Sequence, residues 1–172
     1  MMQSPIRIGL VGFGAAGQAF VPAIDKHPGF KLAAIAEPDA PLRERAHTQC
    51  STDEHPVSVH ASLADLLAQP GLDAVYLATP TELHTPQVID CARSGKHVLV
   101  EKPMATSLAN AQAMVDAADA AGSVLLVGHS HSFDAPIQAM HRLIESGRLG
   151  LCAWSTPGAL PTGCTGPGDR TN

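Results

Sequence analysis

The chain has 172 residues, 45% of them apolar, and a formal net charge of −5 at pH 7. This length suits one domain of roughly 150 residues, and the apolar content is sufficient for a packed core. The negative charge argues against a general nucleic-acid binder. No apolar run approaches the ~20 residues that a membrane span needs, and residues 1–5 lack the basic region of a signal peptide.

The cysteine and aromatic contents are both low. The four cysteines are far apart in the chain, at Cys50, Cys91, Cys152 and Cys164. Such spacing fits a reducing compartment better than a disulfide scaffold, so we expect a cytoplasmic protein. Only 3% of the residues are aromatic, which is little for a chain this apolar.

The predicted elements alternate between strands and helices along the chain. We expect strands at residues 6–12, 31–36, 57–60, 73–79, 97–100 and 124–127, and helices at residues 15–26, 42–49, 62–67, 86–94, 108–121 and 137–145. Pro22 can kink the first helix. The strands are continuous apolar runs, as expected for strands buried on both faces. The pattern predicts an α/β fold, a doubly wound parallel sheet with right-handed crossovers and helices on both sides.

A glycine-rich motif lies between the first strand and the first helix. The pattern G-x-G-x-x-G is matched by Gly12, Phe13, Gly14, Ala15, Ala16 and Gly17. The first glycine permits a tight turn, the second lets backbone amides approach a pyrophosphate, and the third lets helix and strand pack closely. The helix N-terminus then presents its dipole and free amides to the anion. The motif predicts a dinucleotide-binding loop, and the alternative is an ordinary glycine turn.

Glu37 ends the second strand, twenty residues after the last glycine of the motif. A carboxylate there can accept hydrogen bonds from an adenosine ribose and would repel a 2′-phosphate. Because no arginine immediately follows Glu37, NAD is favoured over NADP. The alternative is an exposed glutamate without a ligand.

Polar residues follow the three later strands of the predicted sheet. They are Thr79, Pro80 and His84, then Glu101 and Lys102, and then His129 and His131. Ligands of open α/β sheets bind at the carboxyl ends of the strands, so we expect these residues to converge on one crevice.

Three segments resemble the Gfo/Idh/MocA family, which contains glucose–fructose oxidoreductase and inositol dehydrogenase. The similar stretches are GLVGFGAAG, VYLATPTELHTPQVIDCARSGKHVLVEKPMA, and LLVGHSHSFDAP with LIESGRLG, spanning residues 6–150. The form GHSHSFDAP is similar to the dihydrodiol-dehydrogenase-like members, including those that act on dihydroxy-dihydrophthalate. Many members have Arg-Phe where this chain has Ser132-Phe133.

The resemblance implies an NAD(P)-dependent dehydrogenase with an N-terminal Rossmann domain and a C-terminal α/β domain that carries much of the substrate site. The family's E-K-P lysine, which helps to move the proton beside the nicotinamide, maps onto Lys102. Glu101 then lines the nicotinamide-ribose region, and the bond before Pro103 is expected to be cis. A second acid/base pair of the family, often in its C-terminal domain, has no counterpart in these residues.

The residue types agree with that chemistry. When a secondary alcohol is oxidised, a hydride moves to the nicotinamide and a base takes the hydroxyl proton. A lysine can act as this base where burial or a nearby positive charge favours its neutral form. The alternative for Lys102 is an ordinary surface lysine. His84 either contacts the cofactor or supports residues that do. His129 and His131 have the spacing of a metal pair on a strand, but without a third ligand we favour contact with cofactor or substrate and expect no metal.

The family's C-terminal α/β domain is missing from these 172 residues. We therefore expect an NAD(P)-binding Rossmann domain at residues 1–150 and an irregular tail at residues 151–172, which hold four glycines, three prolines and four threonines. A reading-frame shift near Gly150 would explain this change in composition. Codons for the tail residues can be chosen so that another reading frame encodes an aromatic-rich peptide. The alternative is an irregular natural tail.

Two functions follow from these observations. The first is an NAD(P)-dependent oxidoreductase acting on a secondary alcohol of a sugar, polyol or dihydrodiol, weakly active or inactive as this chain. The second is a stand-alone dinucleotide-binding module with a regulatory or sensing role, because a Rossmann fold does not by itself imply catalysis. We expect a small-molecule substrate where the second domain is present, no nucleic-acid or membrane partner, and no obstacle to a homo-oligomer.

Overall fold

The computed structural model of the chain describes residues 4–150. The chain divides into two compact units, Met1–Gly128 and His129–Asn172. The predicted irregular tail at residues 151–172, with its proposed frame shift, lies outside the described residues.

The first unit alternates strands and helices as predicted. Its strands are β1 (Ile6–Val11), β2 (Phe30–Ala36), β3 (Ser58–His60), β4 (Ala74–Leu77), β5 (His97–Val100) and β6 (Leu125–Val127). Its helices are α1 (Ala15–Lys26), α2 (Ala40–Cys50), α3 (Leu63–Leu67), α4 (Thr81–Arg93) and α5 (Leu108–Ala121). Pro22 lies inside α1, and Ser62 caps α3, its side chain accepting a hydrogen bond from the backbone N–H of Asp65.

The six strands form one parallel sheet in the order β3-β2-β1-β4-β5-β6. This confirms the predicted doubly wound parallel sheet. The strand order reverses direction between β1 and β4, so the carboxyl ends of these two strands flank the switch point at which ligands bind in such sheets.

Side chains on the two faces of the sheet belong to two separate cores. On β4, Val75 and Leu77 pack in a cluster with Val88 of α4, whereas the intervening Tyr76 packs in a cluster with Ile24 of α1. This alternation is the strand period of two, and both faces are buried because helices cover both. Each fully buried side chain of this kind contributes roughly 1.5–3 kcal/mol of hydrophobic stabilisation.

The predicted start of α4 at Pro86 is wrong. The helix begins at Thr81, directly after Pro80, and Pro86 lies within it. The helical register buries His84, Val88 and Cys91, at positions i, i+4 and i+7. Burial of this face outweighs the one intrahelical hydrogen bond that Pro86 cannot donate.

The second unit begins with a short 3-10 helix over Ser130–Phe133, followed by α6 (Ala135–Glu145). His131 lies in this 3-10 helix and therefore not on a strand, so the alternative of a metal pair with strand spacing does not apply. Its Nδ1 lies 2.9 Å from Asp134 Oδ2, a carboxylate three residues later. Short-range pairing within this turn replaces the ladder hydrogen bonds of a strand.

Candidate functional site

The glycine loop is tightly packed at its first and third glycines. Gly12 has φ +89°, and a Cβ at this position would lie 2.8 Å from the backbone oxygen of Ala78. A Cβ at Gly17 would lie 2.1 Å from the backbone oxygen of Gly12. Neither contact is compatible with a side chain, so both positions need glycine if α1 is to start against the ends of β1 and β4.

The second glycine of the motif, Gly14, is exposed and has free space around it. Within the described residues, a Cβ at Gly14 would have no heavy atom within 4 Å. Gly14 is also the N-cap of α1 and supplies no side chain to cap it. The first-turn amides, which include those of Ala15 and Ala16, have no partner within the helix. Open space in front of unpaired amides fits a pyrophosphate.

Phe13 anchors the loop between these glycines. Its ring is 1% exposed and packs in the α1-side core. Its backbone oxygen accepts a hydrogen bond of 2.8 Å from Gln18 Nε2, a residue of α1 whose role the sequence pattern did not reveal. The loop is therefore anchored to the core through Phe13, while Gly14 next to it is exposed.

Glu37 is a buried carboxylate at the end of β2, with 6% of its surface exposed. Its Oε2 accepts a hydrogen bond of 2.7 Å from the backbone N–H of Phe13, and its Oε1 accepts one of 3.0 Å from that of Asp39. One carboxylate thus joins the glycine loop to the turn after β2. Each oxygen retains acceptor capacity that a ribose hydroxyl could use.

Arg43 of α2 is an unpredicted neighbour of this turn. Its Nη1 donates hydrogen bonds of 2.9 Å to the backbone oxygens of both Glu37 and Pro38. The guanidinium therefore lies beside the adenosine end of the predicted site, although it is six residues away from Glu37 in the chain. Only the fold of α2 back onto β2 brings it there.

Thr79 and Pro80 lie at the switch point, opposite the glycine loop. Thr79 Cγ2 would lie 3.3 Å from a Cβ at Gly12, so the two strand ends are in contact. Thr79 Oγ1 donates a hydrogen bond of 2.5 Å to Gln87 Oε1 of α4. Pro80 is exposed and is the N-cap of α4.

His84 is 1% exposed, and both of its ring nitrogens face backbone carbonyl oxygens. Nε2 lies 2.9 Å from Thr79 O, and Nδ1 lies 3.1 and 3.2 Å from the oxygens of Pro103 and Met104. The ring joins the turn after β4 to the turn after β5. Because carbonyl oxygens only accept hydrogen bonds, a ring nitrogen that carries a proton donates to the carbonyl that it faces.

The turn after β5 carries the E-K-P residues. The Lys102–Pro103 peptide bond is cis, as expected. Lys102 is exposed, and its backbone N–H donates a hydrogen bond of 3.1 Å to Glu101 Oε2. The other carboxylate oxygen accepts a hydrogen bond of 2.6 Å from the hydroxyl of Tyr76, a residue that the sequence did not single out.

His129 and His131 both belong to the second unit. His129 is exposed, and its backbone oxygen accepts a hydrogen bond of 3.0 Å from the backbone N–H of Ser132. Within residues 4–150, no three His, Cys, Asp or Glu side chains are grouped as a metal site requires. The other predicted site residues belong to the first unit.

The two cysteines in the described part of the chain are free thiols, Cys50 and Cys91. Burial, and to a lesser extent the charge of Asp90, raises the pKa of Cys91 to about 12. Burial and Asp25 raise that of Cys50. These shifts favour the unreactive protonated thiol. Over the same residues, no helix combines the length and apolar character that crossing a membrane requires.

Comparison with known protein families shows the family to which this chain belongs. Residues 6–129 match the family described as "Oxidoreductase family, NAD-binding Rossmann fold". This chain belongs to the Gfo/Idh/MocA oxidoreductase family. The match includes the glycine loop, Glu37 and the E-K-P turn, so the chain contains an NAD-binding Rossmann domain of that family, as the resemblance implied.

Two curated relatives and one solved structure illustrate the similarity. The chain is 40% identical over 145 residues to 1-carboxy-3-chloro-3,4-dihydroxycyclohexa-1,5-diene dehydrogenase of Comamonas testosteroni, covering 84% of this chain and 36% of the relative. It is 32% identical to 4-carboxy-2-hydroxymuconate-6-semialdehyde dehydrogenase of a Sphingobium species, covering 85% and 45%. The WlbA dehydrogenase of Bordetella pertussis, solved with NADH and UDP-GlcNAcA, is 36% identical with a TM-score of 0.80, covering 87% and 42%. The chain therefore spans less than half the length of each of these proteins.

Proposed function

We propose that this chain forms the cofactor-binding part of a dehydrogenase acting on a secondary alcohol of a sugar, polyol or dihydrodiol. The observation that carries this proposal is the convergence of three features at one edge of one parallel sheet. They are the open amides at Gly14, the buried carboxylate of Glu37 and the exposed side chain of Lys102. A bound nicotinamide dinucleotide supplies the hydride acceptor or donor.

The chain's own residues hold this group and move the proton. The unpaired amides at the start of α1 bind the diphosphate, and Glu37 accepts hydrogen bonds from the adenosine ribose. Thr79 and Pro80 after β4 and Glu101 after β5 would line the remainder of the cofactor. Lys102 Nζ takes the hydroxyl proton during oxidation and returns it during reduction.

We propose that NAD is preferred over NADP. A 2′-phosphate would place its charge against the Glu37 carboxylate, whose two oxygens already hold backbone N–H groups and cannot readily turn away. Arg43 Nη1 donates to two backbone carbonyls of the same turn and so holds the turn in place. The negative charge of Glu37 is the feature that favours a free ribose hydroxyl.

Within this class we propose a carboxylated cyclic dihydrodiol as the substrate. The support is the 40% identity to a dehydrogenase named for a carboxylated dihydroxycyclohexadiene, together with the GHSHSFDAP form of the segment after β6. We further propose a cytoplasmic protein with a small-molecule substrate, able to form homo-oligomers. The domain boundary at residue 150 and the frame-shift origin of residues 151–172 stay predictions, which the gene sequence downstream of the Gly150 codon will test.

The experiment is an NADH fluorescence titration of the 172-residue chain combined with a turnover screen on dihydrodiols and polyols. Lys102→Ala should leave the dissociation constant within about twofold, because Lys102 serves proton transfer, and should abolish any turnover. Lys26→Ala, an exposed lysine at the far end of α1, is the matched control and should change neither. Failure of the wild type to bind NADH would overturn the proposal.

Turnover by these 172 residues alone should be weak or absent, because they span less than half of the relatives' length. Robust turnover would contradict this expectation. If a frame-restored chain binds NADH yet turns over no substrate, the result would favour a regulatory or sensing module over a dehydrogenase.

A further inference from the structure

Tyr76 connects three parts of the site without being one of its predicted residues. It lies on β4 and is 2% exposed. Its ring packs on Phe20 of α1 with the ring centroids 4.2 Å apart, and its hydroxyl donates a hydrogen bond of 2.6 Å to Glu101 Oε1. One side chain thus contacts both the helix that follows the glycine loop and the carboxylate that precedes Lys102.

The strand register explains why the hydroxyl meets this carboxylate. In the β4–β5 ladder Tyr76 is paired with Leu99, and both pack in the core on the α1 side. Glu101 is two residues beyond Leu99, so the strand period returns it to the same face of the sheet. Diagonal neighbours of this kind are within reach of a long aromatic side chain.

The Glu101 carboxylate is therefore fixed by both of its oxygens. Oε1 accepts from the Tyr76 hydroxyl, and Oε2 accepts from the Lys102 backbone N–H. Burial, followed by the hydrogen bond and charge of Glu101, raises the pKa of Tyr76 above its usual value. The phenol consequently remains a proton donor at neutral pH.

We propose that Tyr76 is a positioning residue that orients the Glu101 carboxylate, and with it the Glu101–Lys102 turn, toward the nicotinamide half of the cofactor. This inference rests on the proposed function, because it presumes that the turn after β5 faces that half. Tyr76 itself is buried and acts through Glu101 rather than by touching the cofactor.

The first test is NADH binding by Tyr76→Phe, which retains the ring packed on Phe20 and removes only the hydroxyl. We expect the dissociation constant to rise about 5-fold, the effect of losing one ordinary hydrogen bond. In a Glu101→Ala background the same substitution should change it less than about twofold, since the two residues act as one unit. Thr85→Val, which removes a half-buried hydroxyl of α4 bonded to Met114, is the matched control and should bind NADH as the wild type does.

The second test uses the fact that Tyr76 is the only tyrosine of the chain. Incorporated fluorotyrosine then gives one fluorine NMR resonance, which should shift when NADH is added and should lose that shift in Glu101→Ala. This measurement decides the question if Tyr76→Phe does not fold. A resonance unmoved by saturating NADH, or wild-type affinity in a folded Tyr76→Phe, overturns the positioning role and leaves the dehydrogenase proposal intact. A wild type that does not bind NADH overturns both.

Discussion

Replacing Glu37 with glutamine tests how the glycine loop is held. The carboxylate accepts hydrogen bonds of 2.7 and 3.0 Å from the backbones of Phe13 and Asp39. A glutamine offers one acceptor oxygen and one donor NH2, so one of these N–H groups would face a donor in a site only 6% exposed. Losing one charge-assisted bond of this kind costs roughly 1.5–3 kcal/mol.

We expect Glu37→Gln to lower Tm by about 4–8 °C, from a loss of about 2 kcal/mol in a chain of this length. The NADH dissociation constant should rise about 10- to 30-fold, because the loop loosens and a ribose acceptor is lost. NADPH should lose less affinity, since the neutral amide no longer repels a 2′-phosphate. The preference for NADH over NADPH should therefore narrow.

The assay is a pair of fluorescence titrations, with NADH and with NADPH, beside a thermal unfolding curve. Asp39→Asn is the matched control, because it removes a negative charge from the same turn and asparagine can still cap α2. The reasoning fails if Glu37→Gln keeps wild-type Tm and NADH affinity. It also fails if Asp39→Asn reduces the preference for NADH over NADPH by the same factor, because the loss of any negative charge from this turn would then explain the change.

Further substitutions test the glycine loop, the buried His84 and the buried Cys91. Gly14→Ala should leave Tm nearly unchanged and weaken NADH binding in a titration, whereas Gly17→Ala should unfold the loop and lower Tm, because its Cβ would lie 2.1 Å from a backbone oxygen. His84→Ala should lower the free energy of unfolding by about 2–4 kcal/mol in urea titrations, through lost hydrogen bonds and a cavity, while His47→Ala on exposed α2 should cost under about 0.5 kcal/mol. The thiol of Cys91 titrates near 9.0 when unfolded and at about 12 when folded, so its contribution is complete below pH 9 and is lost as the pH rises toward 12. Cys91→Ala should accordingly flatten the alkaline fall of Tm; an unchanged slope would contradict this.

The sheet could be predicted from the sequence because its strands are short apolar runs, which are typical of strands buried on both faces. Strands such as β1 and β4 carry the signal in consecutive residues. The start of α4 was not predictable in this way. Pro86 has the local signature of a first-turn residue, and only tertiary burial of His84 and Val88 extends the helix before it.

The site residues also differ in whether the sequence alone could predict them. The glycine loop and Glu37 were predicted because their chemistry is encoded by residue type and spacing within one strand–helix–strand segment. Arg43 and Tyr76 were not, because Arg43 acts through backbone carbonyls and Tyr76 acts through a register between two strands. A buried tyrosine one residue before the end of a strand, beside a strand that is directly followed by glutamate, is the signal that could have found Tyr76.

The two carboxylates of the site, Glu37 and Glu101, occupy similar places after a strand but differ in exposure. This difference determines whether substitutions near them change stability, cofactor affinity or both. Glu37 and Glu101 each directly follow a strand. Glu37 accepts hydrogen bonds from backbone N–H groups with both of its oxygens, whereas Glu101 does so with one. Glu37 is buried, so its bonds determine the shape of the loop and therefore cofactor affinity. Glu101 is half-buried, and the adjoining Lys102 is exposed, so their geometry depends more on the single bond from Tyr76. Substitutions at the adenosine end should thus change stability and affinity together, whereas those at the Glu101–Lys102 turn should change binding or proton transfer with little loss of stability.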